Sequence, residues 1–350
     1  MEKFYCIELL RFFTSLAVVI RHYIFFFYPR SSSSTIHILT DSSILPFYPL
    51  LQFIYEMGDY AVPIFWAISG FVFALVYLEQ KENVSGKKFF INRFARLYPL
   101  HFATLIIVTV LQLININLIG KFQIYPINDI HRFILNLFFV SGWEYELLNP
   151  FFKGASFNGP IWSVSVEILI YVIFFFSIIH IKKYKIKYAI AVYGIALLVD
   201  KLMLSSLFID CYKLFFSGII VYYINLKIKR KSLLLLSSLL LISISFIGNF
   251  KIFLFGPGLL LFFVYLETFN INKFKEIFQF LGNLTYSMYL LHIPIMLFII
   301  INFYIINISD KIFLSIYFFI FYLILIMFLS FISFKYYEKP LNYKIRTHFN

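Results

Sequence analysis

Long apolar runs, repeated from one end of the chain to the other, constrain this sequence more than any other feature. Ten of them, at 7–28, 60–78, 93–118, 161–181, 188–204, 207–225, 232–248, 252–268, 280–306 and 312–334, approach or exceed the length of a bilayer crossing. That length is about 20 mostly apolar residues in an α-helix. Lipid offers no partner for backbone N–H and C=O groups, so helices, which satisfy those groups internally, are the default crossing unit. Composition closes off the alternatives. Of 350 residues 61% are hydrophobic and only 13% charged, against about 25% charged in an ordinary soluble domain. With 48 Phe and 26 Tyr, too few polar groups exist to cover a water-facing surface. A soluble enzyme, a disordered chain and a coiled coil are excluded. The expectation is an all-α, polytopic membrane bundle forming a single integral-membrane domain over 1–350, with no appended soluble domain. The start, MEKFYCIELLRFFTSLAVVIRHY, has the look of a signal peptide, but Glu8, Arg11 and Arg21 interrupt its apolar run and no small-residue cleavage site follows. It is expected to stay as the first crossing.

Charge distribution gives the orientation. The chain carries 30 Lys and Arg against 17 Asp and Glu, which in a soluble protein would suggest nucleic acid as a partner. In a membrane protein the same excess marks cytoplasmic loops, and no nucleic-acid partner is expected. The basic clusters are Lys81, Lys87, Lys88 and Arg93, then 182–187, 227–231, 273–276 and the tail from Lys335. One shorter apolar stretch, 133–140, decides where they fall. If it does not cross, every cluster and both termini lie on one face. That arrangement implies ten crossings, N-in and C-in, with 133–140 re-entrant or at the outer surface. The longest connections, 29–49 and 120–160, are then outside, and long ordered loops usually carry function. Cys6 and Cys211 are far apart with no paired spacing, which indicates neither a disulfide framework nor a metal site.

Ionisable side chains inside a bilayer are costly and face a cavity or a partner, so they are the informative residues. Arg11 and His22 are eleven residues apart, three helical turns plus about 20°, and share a face of the first crossing. Glu8 and Ser15 lie near the same stripe. The rise places His22 about 16 Å from Arg11, in the outer half of the membrane. Taken singly, Arg11 could reach back to the inner interface and His22 could bond a neighbouring backbone; the shared stripe favours a polar seam. In the third crossing Arg93 and Arg96 are i, i+3 neighbours at its cytoplasmic mouth, and Tyr98 and His101 extend the polarity inward. Two guanidiniums can fork onto phosphate oxygens, although a positive-inside anchor would use the same residues. The fourth crossing enters with GPIWSVSVEILIY. Glu167 lies about two turns in, with Ser163 one turn before it and Trp162 beside that. At a depth matched to His22, this carboxylate could orient the imidazole, or serve as an inter-helix hydrogen bond. The ninth crossing holds Tyr286, Ser287, Tyr289 and His292 in an apolar run, with Pro294 positioned to kink the helix and free a carbonyl. Ser69–Gly70 in the second crossing reads first as a close helix-packing pair. Glu8, Ser69, Trp162, Ser163, Tyr286 and His292 are candidates to line a substrate channel.

Together these motifs resemble the membrane acyltransferase-3 family, whose members O-acylate bacterial surface glycans. Arg11 with His22 is similar to its arginine–ten residues–histidine pattern, and IFWAISGFVF to its second-crossing Ser–Gly motif. Arg93 and Arg96, followed by Leu–Tyr–Pro, resemble its Arg–x–x–Arg pair. GPIWSVSVE resembles its Trp–Ser–x–Ser–x–Glu segment, ending at Glu167, and YSMYLLHIP and YYEKPL resemble its two C-terminal signatures. The motifs run in family order over essentially the whole chain. Trp66 and Ala67 depart from the commoner residues before Ile68–Ser69. The resemblance implies transfer of an acyl group, usually acetyl, from cytoplasmic acyl-CoA to a sugar hydroxyl of a cell-surface polysaccharide or glycolipid, in a bacterial cytoplasmic membrane. His22, Arg11 and Glu167 would be catalytic: His22 taking the hydroxyl proton, Arg11 stabilising the oxyanion or guiding the pantetheine arm, Glu167 orienting His22 or contacting sugar. Arg93 and Arg96 would hold the acyl-CoA phosphates. No metal is implied. A transporter or flippase for lipid-linked sugars is the competing class, because a polar seam also suits conduction, but duplicated halves with paired broken helices are not evident.

Overall fold

The computed structural model describes residues 3–27, 42–81, 84–143, 156–202, 206–228 and 230–349. Among them the chain is helical and without strands. The helices are α1 Tyr5–His22, α2 Tyr48–Met57, α3 Ala61–Tyr77, α4 Gly86–Ile119, α5 Ile130–Leu137, α6 Ile161–Tyr184, α7 Ile186–Leu202, α8 Leu207–Lys227, α9 Lys231–Ser245, α10 Ile252–Leu266, α11 Lys275–Ile305, α12 Ile316–Ser333 and α13 Lys339–Phe349. Each of the ten apolar runs is a helix. Among the described residues, seven helical stretches are long and apolar enough to cross a membrane: Tyr5–Phe27, Tyr48–Tyr77, Gly86–Ile119, Ile161–Tyr184, Leu207–Lys227, Asn272–Ile305 and Ile316–Phe349. The other three, α7, α9 and α10, have 17, 15 and 15 residues. At 1.5 Å per residue they span roughly 22–26 Å, short of a hydrocarbon core of about 30 Å. Of the stretch expected not to cross, 133–140, residues 133–137 belong to the eight-residue α5, which is too short to span a bilayer. Asp129 caps it, its Oδ1 accepting from the Arg132 backbone N–H at 2.8 Å. Most of the loop 29–49 and the middle of 120–160 lie outside the described residues.

The chain folds as two compact units. The first comprises Met1–Thr14, Tyr60–Phe89 and Val166–Asn283. Here α8 packs on α3, α7 and α10, and α10 also meets α3 and α9. Phe73 is central, its ring 4.5 Å from Tyr171 and 5.4 Å from Phe215. The α3–α8 crossing is as close as backbones permit. A Cβ on Gly70 would lie 1.8 Å from the Phe215 carbonyl oxygen, and one on Gly218 would lie 1.9 Å from that of Ala67. Gly70 thus has the packing role expected of the Ser69–Gly70 pair, the small-residue contact that lets membrane helices approach. Glu267 closes the start of α1: its carboxylate accepts from the backbone N–H groups of Tyr5, at 3.0 Å, and Cys6, at 2.7 Å. A negative charge is favoured at that end of a helix. Lys213, almost wholly buried, is neutralised by Asp200 at 2.8 Å and Asp210 at 2.9 Å.

The second unit comprises Ser15–Asp59, Phe90–Ser165 and Leu284–Asn350. After α1 the chain tightens into a 3₁₀ turn, Tyr23–Phe27. Tyr23 donates its hydroxyl to the Phe313 carbonyl at 2.7 Å, and Phe26 stacks on Phe313 at 4.6 Å. His101 Nε2 donates to the Asn136 carbonyl at 2.8 Å, so this intramembrane histidine ties α4 to the end of α5. In α11, Pro294 has no N–H to give the Leu290 carbonyl, its natural partner four residues back. Asn158 supplies the missing donor, Nδ2 to the Leu290 oxygen at 2.9 Å, from a fully buried position. The freed carbonyl expected from the sequence is there, together with the group that satisfies it. Past α12 a π-helical turn, Phe334–Glu338, leads into α13. Such turns often mark functional sites.

Candidate active site

Two clusters of polar side chains occupy the second unit, and α11 contributes to both. The first is a histidine pair. His22 ends α1, half-buried, with its ring stacked on Phe25 at 4.6 Å. Its Nδ1 lies 2.8 Å from Nε2 of His292, which is fully buried. The Nδ1 of His292 meets the Met288 carbonyl, one turn back on α11, at 3.1 Å, and the His292 carbonyl accepts from the Tyr322 hydroxyl at 3.2 Å. Among the described residues the Nε2 of His22 has no hydrogen-bond partner. Beside the pair, the ring of Tyr289 lies 6.3 Å from that of His292, and its hydroxyl is 2.7 Å from Ser163 Oγ. Ser163 and Tyr289 both reach the Pro160 carbonyl, at 3.0 and 3.1 Å. Gly159 permits this corner, since a Cβ there would strike the Tyr125 ring at 2.1 Å. Ser165 has a structural part: its Oγ accepts from the Gly142 N–H at 2.7 Å, and its carbonyl accepts from Trp143 Nε1 at 2.8 Å.

The second cluster centres on Arg96. Its Nη1 donates to the buried Glu338, whose other oxygen accepts from Ser287 Oγ at 3.0 Å. The guanidinium sits 5.4 Å from the centre of the Tyr286 ring, and the Tyr286 hydroxyl donates to the Leu97 carbonyl at 2.6 Å. A cavity of about 320 Å³ opens here, lined by Arg96, Phe334, Glu338, Lys339, Asn342, Tyr343 and Arg346. Three cations against one carboxylate leave it net positive. Arg93 lies half-buried one turn before Arg96 on α4. The sequence picked out the arginine pair but passed over Glu338, Lys339 and Arg346. The available signal was the acid in YYEKPL, just past the last apolar run.

The remaining candidates belong to the first unit or stand beside these clusters. Arg11 Nη1 is paired with Glu8 Oε2 at 2.9 Å, both side chains a quarter exposed. α1 is unbroken from Tyr5 to His22, as the spacing of Arg11 and His22 requires. Ser69 is half-buried on α3, Trp162 half-buried at the start of α6, and Glu167 buried further along it. The described residues hold no group of three or more His, Cys, Asp or Glu side chains able to bind a metal ion.

A family model described as an acyltransferase domain matches residues 4–335, nearly the whole chain. No curated protein matches it, and no solved structure matches it either. With that extent of match, the chain belongs to the acyltransferase-3 family and is a membrane acyltransferase.

Proposed function

We propose that this acyltransferase moves an acyl group, in the first instance acetyl, from cytoplasmic acyl-CoA to a sugar hydroxyl of an extracytoplasmic polysaccharide or glycolipid, in a bacterial cytoplasmic membrane. The observation that supports the reading is that one helix contributes side chains to both polar clusters. On α11, Tyr286 and Ser287 touch the Arg96–Glu338 cluster, and His292 holds His22. From Ser287 to His292 the helix rises about 7.5 Å. The cationic cavity suits a phosphorylated donor, and the histidine pair suits an alcohol acceptor.

In the proposed reaction the sugar oxygen attacks the thioester carbonyl. The new C–O bond forms as the hydroxyl proton passes to His22 Nε2. The C–S bond then breaks, and the proton passes from His22 to the departing sulfur. A positioned imidazole in this role contributes about 10²–10⁴-fold. Arg93 and Arg96, with Lys339 and Arg346, grip the phosphates of the donor, a chemistry in which guanidinium forks excel. The proposal extends to Arg11, as oxyanion or pantetheine contact, and to Glu167, as orienting or sugar-binding acid, on the motif match alone. Orientation follows the basic clusters, with both termini and the cavity on the cytoplasmic side.

The test is transfer of label from radiolabelled acetyl-CoA to glycan in membranes containing the chain. His22→Ala should abolish transfer while leaving the protein inserted. Lys339→Ala/Arg346→Ala should raise KM for acetyl-CoA about tenfold or more, with kcat little changed. Undiminished transfer by His22→Ala would remove that residue from the chemistry.

A further inference from the structure

The hydrogen bonds around the histidine pair determine where its protons sit. The Met288 carbonyl can only accept, so the His292 Nδ1 that meets it at 3.1 Å carries a hydrogen. A neutral imidazole with a proton on Nδ1 has its lone pair on Nε2. That lone pair faces Nδ1 of His22 at 2.8 Å. Two lone pairs would repel at this distance, so the Nδ1 of His22 must carry a proton too. The remaining nitrogen of His22, Nε2, is then the one with the free electron pair, and among the described residues nothing else bonds to it.

We propose that His292 is a positioning residue that fixes His22 in the tautomer whose Nε2 can accept a proton from the attacking hydroxyl. Here an imidazole does the work that a carboxylate does in a serine–histidine–aspartate triad, holding the base in the right tautomer and orientation. The direction of the chain is set at its far end by a backbone carbonyl, which cannot change its protonation. Two further contacts and the burial of His292 hold the device still. The Tyr322 hydroxyl bonds the His292 carbonyl, Phe25 stacks on the His22 ring, and His292 itself is fully enclosed. When His22 Nε2 takes the hydroxyl proton, its Nδ1–H stays in place and the positive charge is shared into the bond with His292. No second proton has to leave. The inference rests on His22 being the base.

Two variants separate orientation from bulk. In His292→Gln the amide oxygen can stand where Nε2 stood and accept from His22, whereas in His292→Leu nothing accepts. His292→Leu should lose about 10²-fold in kcat, with KM for acetyl-CoA within about twofold of the parent. His292→Gln should keep kcat within about tenfold. Independently, magic-angle-spinning NMR of the ¹⁵N-histidine-labelled chain in lipid bilayers, with His22 assigned by its loss in His22→Asn, reads the tautomer directly. The expected result is a protonated Nδ1 and an unprotonated Nε2 on His22 in the parent. Protonation of His22 on Nε2 in the parent overturns the inference, as does equal activity of His292→Gln and His292→Leu. If His292→Leu does not accumulate, the parent spectrum alone decides. Retained activity in His22→Ala would instead overturn the assignment of the base.

Discussion

A carbonyl left open in the middle of a membrane helix is a liability, and Leu290 shows how this protein turns one into a tether. Pro294 removes the donor, and Asn158 replaces it from the segment that carries the Gly–Pro–Ile–Trp motif. Asn158→Ala should cost about 1–3 kcal/mol, the penalty of a buried group left without a partner, read as a lower unfolding midpoint in detergent. Adding Pro294→Ala should recover much of that loss, because the substitution restores a backbone N–H at that position and gives Leu290 its own helical donor back. Two independent losses that simply add would show that the two residues are not serving one carbonyl. Part of this was legible beforehand: a proline in an apolar run announces a free carbonyl. Which residue answers it was not, because the answer comes from 132 positions away. The same holds for His292 beside His22 and Glu338 beside Arg96, 270 and 242 positions apart. Sequence spacing sorts residues by helix face, and only packing chooses among faces.

At the scale of the element, the apolar runs were read well and their ends less so. All ten became helices because apolar length forces helix in lipid, whereas helix ends are set by local capping. α4 begins at Gly86 and α11 at Lys275, each several residues before its apolar run, because their first turns lie among polar residues where water can serve the open N–H groups. α5 is the opposite case, a helix defined by its cap. The Arg132 backbone N–H, and then the Arg132 guanidinium, hold the Asp129 carboxyl below its ordinary range. A lowered carboxyl pKa gives stability that is present above the ordinary carboxylate range and is lost as pH falls through the lowered value. Amide exchange in Ile130–Leu137 should therefore stay slow from neutral pH down past about pH 4 and rise only in stronger acid. Asp129→Ala should raise it at every pH, and Asp129→Asn, which keeps a capping oxygen, much less.

For the whole molecule, the open question of sidedness has a direct readout. Both native cysteines are buried, so an impermeant maleimide reports on introduced ones. With both termini and the basic loops inside, Lys187→Cys and Lys344→Cys should label only in inverted or opened vesicles, and Lys121→Cys should label in intact cells. Labelling of Lys187→Cys and Lys344→Cys from opposite sides would reverse the assignment. The distances along the chain also bear on how the protein is made. His22 leaves the ribosome 270 positions ahead of its partner, and the carboxylate that closes the head of α1 trails Tyr5 by 262 and Cys6 by 261. During synthesis α1 waits in the membrane with both of these contacts still unmade. A chain released by a stalled ribosome ahead of Glu267 therefore has neither end of α1 fastened by these partners.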